Sequence, residues 1–303
     1  MRVGVLLDLG KSVAEVREEV GEYRAQGFAS VWASQIFGYD ALTLLAVVGT
    51  SVPDIELGTA VVPVYSRLPQ VMAQQALTVQ SATGGRLALG VGLSHQVVVE
   101  GMWGLSFDRP ARYLREYLAA LVPMLHGEPA RVEGEVVTAR SAGPLEIPDA
   151  PAPPVLVAAL APAMLRLAGR VADGTVTWMT GTKTVAEHIV PTIGAAAHEA
   201  GRGTPRVVVM VPVTVTADAE AARRRIDEVF AIYPSLPSYR AMLDREGAAG
   251  PSDVALVGDE GAVAEGIRRL ADAGATDVAA AVVGGDEERA RTRAVLAELA
   301  RSG

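Results

Sequence analysis

The chain of 303 residues contains no cysteine. That absence excludes disulfides, thiolate catalysis and cysteine-ligated metal centres. Lysine is almost missing as well: of 27 basic residues only Lys11 and Lys183 are lysines, the rest arginine. Basic and acidic residues are interspersed, and the formal net charge is −8. No concentrated basic face is present, which argues against nucleic acid as a partner. No run of 18 apolar residues occurs, so no membrane-spanning helix is expected. The N-terminal stretch MRVGVLLDLG reads as a first β-strand rather than a signal peptide. The expectation is a cytoplasmic protein that acts on a small molecule.

Hydrophobic residues make up 50% of the chain, enough for a large core. Eight short apolar, β-branched runs alternate with stretches of helical period, at residues 3–8, 30–34, 55–62, 86–92, 154–160, 174–179, 206–215 and 276–284. In the first helical stretch Val13, Val16, Val20 and Tyr23 share one face. Runs apolar on both faces suit parallel strands covered by helices. The expected fold is α/β, a (β/α)8 TIM barrel in one domain over residues 1–303, with a doubly wound sheet as competitor. Insertions are expected after strands 4 and 7. The first is Gly- and Pro-rich (127–153) and reads as hairpin-bearing; the second (236–258) carries a short helix. "FDRP" places Asp108 at a helix N-cap, with Pro110 in the first turn.

The stretch LALGVGLSHQ (87–96) is not a dinucleotide fingerprint, because His95 stands where the third glycine is needed. In a barrel the active site lies at the C-terminal ends of the strands. Leu93, Ser94 and His95 would then emerge at the mouth, and His95 is the candidate proton-transfer group among four histidines. After the second strand, Ser34 and Gln35 supply neutral donors and acceptors. Arg67 follows the third strand and is a candidate anion holder, with a solvated arginine as the plainer explanation. After the fifth strand, Ala159 and Ala161 allow close backbone approach, and a helix starts at Pro162. After the sixth, Thr180, Gly181, Thr182 and the rare Lys183 open another helix. Together these two helix starts read as a phosphate site. Trp32, Phe37, Trp103 and Trp178 are candidate substrate-pocket residues, though core packing explains aromatics as readily. Residues 94–109 are a candidate lid. Metal motifs (H-x-x-x-H, H-E-x-x-H) and the nucleophile motif G-x-S-x-G are absent, so no metal site is expected. With positioning groups and one imidazole, the chemistry is expected to come from a cofactor.

Three blocks, LGTAVVPVYSRLPQVMAQQALTVQSATGGRLALGVG (57–92), VLVAALAPAMLRLAGRVADGTVTWMTG (155–181) and LADAGATDVAAAVVG (270–284), resemble the bacterial luciferase-like superfamily. Within it the chain is most similar to the coenzyme F420 (deazaflavin)-dependent oxidoreductases. The resemblance implies a dimeric barrel that binds F420, or alternatively FMN, at its C-terminal mouth. It implies a bulge in the third strand behind the cofactor ring, with a non-prolyl cis peptide at Ala60–Val61 and Pro63 beside it. It maps the phosphate to Ala159, Leu160 and Ala161, with Thr180 to Lys183 nearby. Alcohol and sugar-phosphate dehydrogenases of the family carry Asp-His where this chain has Ser34-Gln35, and a carboxylic acid where His95 stands. Alcohol oxidation needs a base for the hydroxyl proton. Reduction of a C=C, C=N or carbonyl group needs only a fixed ring and a proton donor, for which His95 serves. An FMN-dependent monooxygenase and a non-catalytic flavin-binding protein are the alternatives.

Overall fold

In the computed structural model, which describes residues 1–302, the expected barrel is present. Its strands are β1 (Arg2–Leu6), β2 (Ser30–Ala33), β3 (Glu56–Thr59, resuming at Val62–Pro63), β4 (Leu87–Gly92), β5 (Val155–Ala158), β6 (Gly174–Trp178), β7 (Arg206–Val215) and β8 (Asp277–Val282). Each pairs in parallel with the next, and β8 pairs with β1, so the sheet closes. A further strand, Leu256–Gly258, pairs along the end of β7.

Local sequence sets the helix limits. Helix α1 (Val13–Gln26) begins with a capping box between Ser12 and Glu15, and stops at Gly27 with φ 91°. Helix α2 (Ala41–Gly49) is capped by Asp40, whose carboxylate accepts from the Thr43 amide at 2.9 Å. Pro69 opens α3 (Pro69–Thr83) and Gly84 ends it. The expected cap of α4 (Pro110–Leu125) is corrected. Arg109 is the N-cap, in left-handed conformation at φ 51°, and no side chain caps the helix. That turn carries Asp108 off the helix start, where it accepts from the Ser106 hydroxyl at 2.9 Å instead.

Between β4 and β5 lie α4 and an antiparallel hairpin, Arg131–Glu133 with Thr138–Arg140. The hairpin turn is held by Glu116 of α4, which accepts from the amides of Glu135, Val136 and Val137. Past β5 come α5 (Pro162–Val171), then a helical run from Thr182 that passes through a π turn into α6 (Val190–Glu199). Helix α7 (Ala219–Val229), α8 (Pro237–Glu246), α9 (Glu260–Asp272) and α10 (Asp286–Ser302) complete the coat.

The main apolar core fills the space between strands and helices. A smaller one lies inside the barrel, where Trp32 meets Ala88, Leu156, Val176, Val208, Met210 and Ala279. Below it, at the N-terminal strand ends, Arg206 hydrogen-bonds both Asp277 and Glu56 at 2.6 Å and stands 5.5 Å over the Trp32 ring. Among the described residues no helix is long and apolar enough to cross a membrane.

Candidate active site

The bulge in β3 explains the glycines of LALGVG. Strand β3 breaks at Ala60–Val61, whose peptide bond is cis, and resumes beside β4 through Val62–Val91 and Pro63–Gly92 pairing. Thr59 Oγ1 donates to the Gly90 carbonyl and accepts from its amide, both at 2.8 Å. A Cβ on residue 90 would lie 2.0 Å from the Thr59 carbonyl oxygen, and one on residue 92 would lie 2.7 Å from Val61. These glycines admit the bulge, and the chain then turns at Ser94, in left-handed conformation at φ 61°.

His95 follows that turn as the N-cap of a short helix, Gln96–Val99. Its ring lies 5.7 Å from that of Tyr239 on α8. Burial lowers its pKa from the ordinary 6.5, because a half-buried imidazolium loses hydration. Leu93, Ser94 and His95 are all partly exposed, as are Ala60 and Val61 on the bulge and Ser34 and Gln35 beyond β2. These groups share the mouth formed by β2, β3 and β4.

Two of the candidate anion groups have partners within the protein. Arg67 is not free: it is paired with Asp40 and donates to Gln75 Oε1 at 2.8 Å and to Gln35 Oε1 at 3.4 Å. It ties the loops after β2 and β3 together, and Gln35 also accepts from the Ala41 amide at 3.2 Å. The helix start after β6 is likewise taken. The amides of Lys183 and Thr184 donate to the carboxylate of Glu246, at 3.1 and 2.7 Å, and the Thr180 hydroxyl bonds that of Thr177 at 2.7 Å. Thr180 and Gly181 are buried, Thr182 is partly exposed, and the Lys183 side chain is exposed. By contrast, no side chain caps α5, and Ala161, Pro162 and Ala163 at its start are exposed. Ala159 is buried beneath it, and the Leu160 carbonyl is held by His188 Nε2 at 2.8 Å. Of the two helix starts, α5 alone is open to an anion.

The candidate pocket aromatics separate. Trp32 is fully buried inside the barrel, donating to Ser30 Oγ at 2.9 Å, so it supports the site from below and lines no open surface. Trp103 packs on the main core, and Phe37 is 66% exposed. Trp178 stands at the end of β6 within an aromatic group the motifs did not reveal: Phe230 meets it edge-on at 5.3 Å and Tyr233 at 5.9 Å. Tyr239 joins Tyr233 at 4.8 Å. Their signal is density, since three of the chain's few aromatics crowd into residues 230–239. In the candidate lid, Glu100 accepts from Gln96 and from the Phe107 amide, and Phe107 lies 5.5 Å from Tyr65. Two surface clefts, of about 280 and 380 Å³, lie away from the mouth, one beside His126 and the other beside Asp173 and Arg202.

The sequence pattern of one family, luciferase-like monooxygenase, matches residues 1–277. The chain belongs to that family. A 5,10-methylenetetrahydromethanopterin reductase of Methanolobus tindarius is 30% identical to this luciferase-like chain, over 80% of it and 72% of the relative. An F420-dependent glucose-6-phosphate dehydrogenase of Beutenbergia cavernae is 33% identical over 60% of the chain and 55% of the relative. The structure of a coenzyme F420-dependent tetrahydromethanopterin reductase from Methanopyrus kandleri superposes with a TM-score of 0.81 at 22% identity, covering 98% of this chain and 97% of that one. This last likeness establishes the (β/α)8 barrel for the luciferase-like chain.

Proposed function

We propose that this luciferase-like protein is an F420-dependent oxidoreductase working as a reductase on a C=C, C=N or C=O group of a small organic molecule. The observation that carries the direction is His95: the mouth offers one imidazole and, after β2, Ser34 and Gln35 with no carboxylate free to act as base. Asp40, the nearest acid along that loop, is engaged by Arg67. The relatives named above support the cofactor class.

The residues present fit such a cofactor. The exposed side of the Ala60–Val61 bulge, made room for by Gly90 and Gly92, backs a planar ring. The open start of α5 at Ala161 takes the phosphate, and His188 fixes the Leu160 carbonyl beside it. The reduced deazaflavin supplies a hydride. His95 then holds the proton that the acceptor needs, at Nε2 or Nδ1, and the aromatic group around Trp178 excludes water from the acceptor. Arg67 and Arg109 are both paired with acids, so neither is offered to an anionic acceptor.

The same pairing favours the second reading, an FMN-dependent monooxygenase. Of the basic residues near the mouth, Arg67 and Arg109 are paired with acids and the exposed Lys183 is left for a polyglutamate tail, which FMN does not carry. Titrating the protein with F420 and with FMN, followed by absorbance and fluorescence, separates the two. Micromolar or tighter binding of F420 with turnover of unsaturated acceptors supports the first; preference for FMN with oxygen consumption replaces it. Tight binding of oxidised cofactor without turnover would indicate a binding protein that has lost the chemistry. By family resemblance the protein is further proposed to be a cytoplasmic homodimer of single-barrel subunits, which light scattering after gel filtration checks.

A further inference from the structure

Helix α8, in the excursion between β7 and β8, touches the mouth at both of its ends. Near its start Tyr239 lies against His95 and meets Tyr233 edge-on. At its end, about 10 Å further along, Glu246 gives both carboxylate oxygens to the amides of Lys183 and Thr184. Those amides open the helical run after β6, so the carboxylate also faces the positive end of that helix. Residue 181 has no room for a side chain there, because a Cβ would lie 2.3 Å from Glu246 Cδ. The Thr184 hydroxyl adds a bond to the Met242 carbonyl at 3.4 Å. One end of α8 is therefore fastened to the β6 corner while the other covers the imidazole.

We propose that Tyr239 is a positioning residue for His95, and that Glu246 is the latch that seats it there. The functional meaning rests on His95 being the proton donor proposed above, but the contact itself is measurable without cofactor. The Tyr239 ring keeps water from the imidazole and thereby disfavours its charged form. Burial is the one cause acting on His95, with no charged group contributing. Glu100, the acid on its own segment, is turned to Gln96 and the Phe107 amide. The two ways in which Glu246 could act on His95 have opposite signs. Through space, loss of its negative charge would push the imidazole pKa down further. Through Tyr239, loss of the latch lets water reach the ring and brings the pKa back up toward 6.5.

The test is an NMR titration of the whole, cofactor-free protein with labelled histidine, His95 being assigned by comparison with His95→Gln. Glu246→Gln keeps the volume and sets an amide group where two N–H donors need acceptors. It is expected to raise the His95 midpoint toward 6.5 and to speed hydrogen exchange at Lys183 and Thr184 about tenfold. Tyr239→Ala is expected to raise the midpoint too, and the double variant no further than Tyr239→Ala alone. Tyr239→Phe, which keeps the ring, should titrate as the wild type. Faster exchange in Glu246→Gln with an unmoved or lowered His95 midpoint overturns the latch, and an unmoved midpoint in Tyr239→Ala overturns the positioning role. Should Tyr239→Ala fail to fold, Glu246→Gln and Tyr239→Phe still decide. Failure of the F420 reading would show in the cofactor titration and leave these midpoints untouched.

Discussion

At the N-terminal end of the barrel Arg206 lies between Asp277 and Glu56, with Arg2 reaching both acids at 3.6 and 3.2 Å. At the C-terminal end, among the described residues, His95 has no ionic partner and no side chain caps α5, and aromatic rings gather around Trp178. Burial disfavours the charge on Arg206, yet the hydrogen bonds it donates to Asp277 and Glu56 outweigh it and hold the guanidinium charged. Burial of His95 has no such counterweight, so its charged form is the one that suffers. A paired floor stabilises the fold; at the mouth, His95 and the start of α5 are left free for a ligand. This is the division of labour that barrels in general show between their two ends.

The contrast is broken most directly at its two centres. His95→Ala should slow single-turnover reduction by about 10²–10⁴-fold while leaving cofactor affinity nearly unchanged; an unaltered rate would remove His95 from the chemistry. Asp277→Ala should cost about 1.5–3 kcal/mol of stability by denaturant unfolding, because it removes a charge-assisted pair from a half-buried arginine and leaves it Glu56. Binding of cofactor by the folded fraction should survive that change. Gly90→Ala joins the two ends: pressing on the Thr59 carbonyl should cost about 1–3 kcal/mol, and moving the bulge should weaken cofactor binding as well.

Smaller effects sharpen the same picture. Burial lowers the His95 pKa, so the reduction rate should fall as pH rises through the His95 midpoint, roughly tenfold per pH unit beyond it. Stability runs the other way, since the unfolded histidine binds its proton more readily: this group's contribution is lost as pH falls below 6.5. Thr180→Val should cost only about 1 kcal/mol, the net worth of a neutral hydrogen bond. Cofactor affinity should not change, because Thr180 already bonds Thr177; a marked loss of affinity would restore Thr180 to the binding site.

The barrel was legible because each strand is a short apolar run and each helix shows its own period and caps. Expected and observed strands differ by only a few residues at their ends, apart from the break in β3. Of the mouth, the residues that follow a strand end at once were legible, since chain direction alone puts Ser94, His95 and Ala161 there. The cap of α4 was misplaced by one residue, because a left-handed arginine at 109 carries no mark in the sequence. The phosphate reading of residues 180–183 was locally sound, with a helix start, a glycine and a lysine. Its amides were claimed by Glu246, more than sixty positions away.

Local pattern by itself determined the alternation of strands and helices, the barrel that such alternation favours, and the end of the barrel where chemistry sits. These follow from short-range physics: periodicity, capping, and the direction in which a strand leaves the sheet. Which polar groups remain free was decided only by tertiary structure. Arg67 was taken by Asp40, Trp32 was drawn into the barrel, and Glu246 filled the helix start at Lys183. Each outcome depends on a partner brought near by closure of the sheet, and the charge or hydrogen bond satisfied there cannot also serve a ligand.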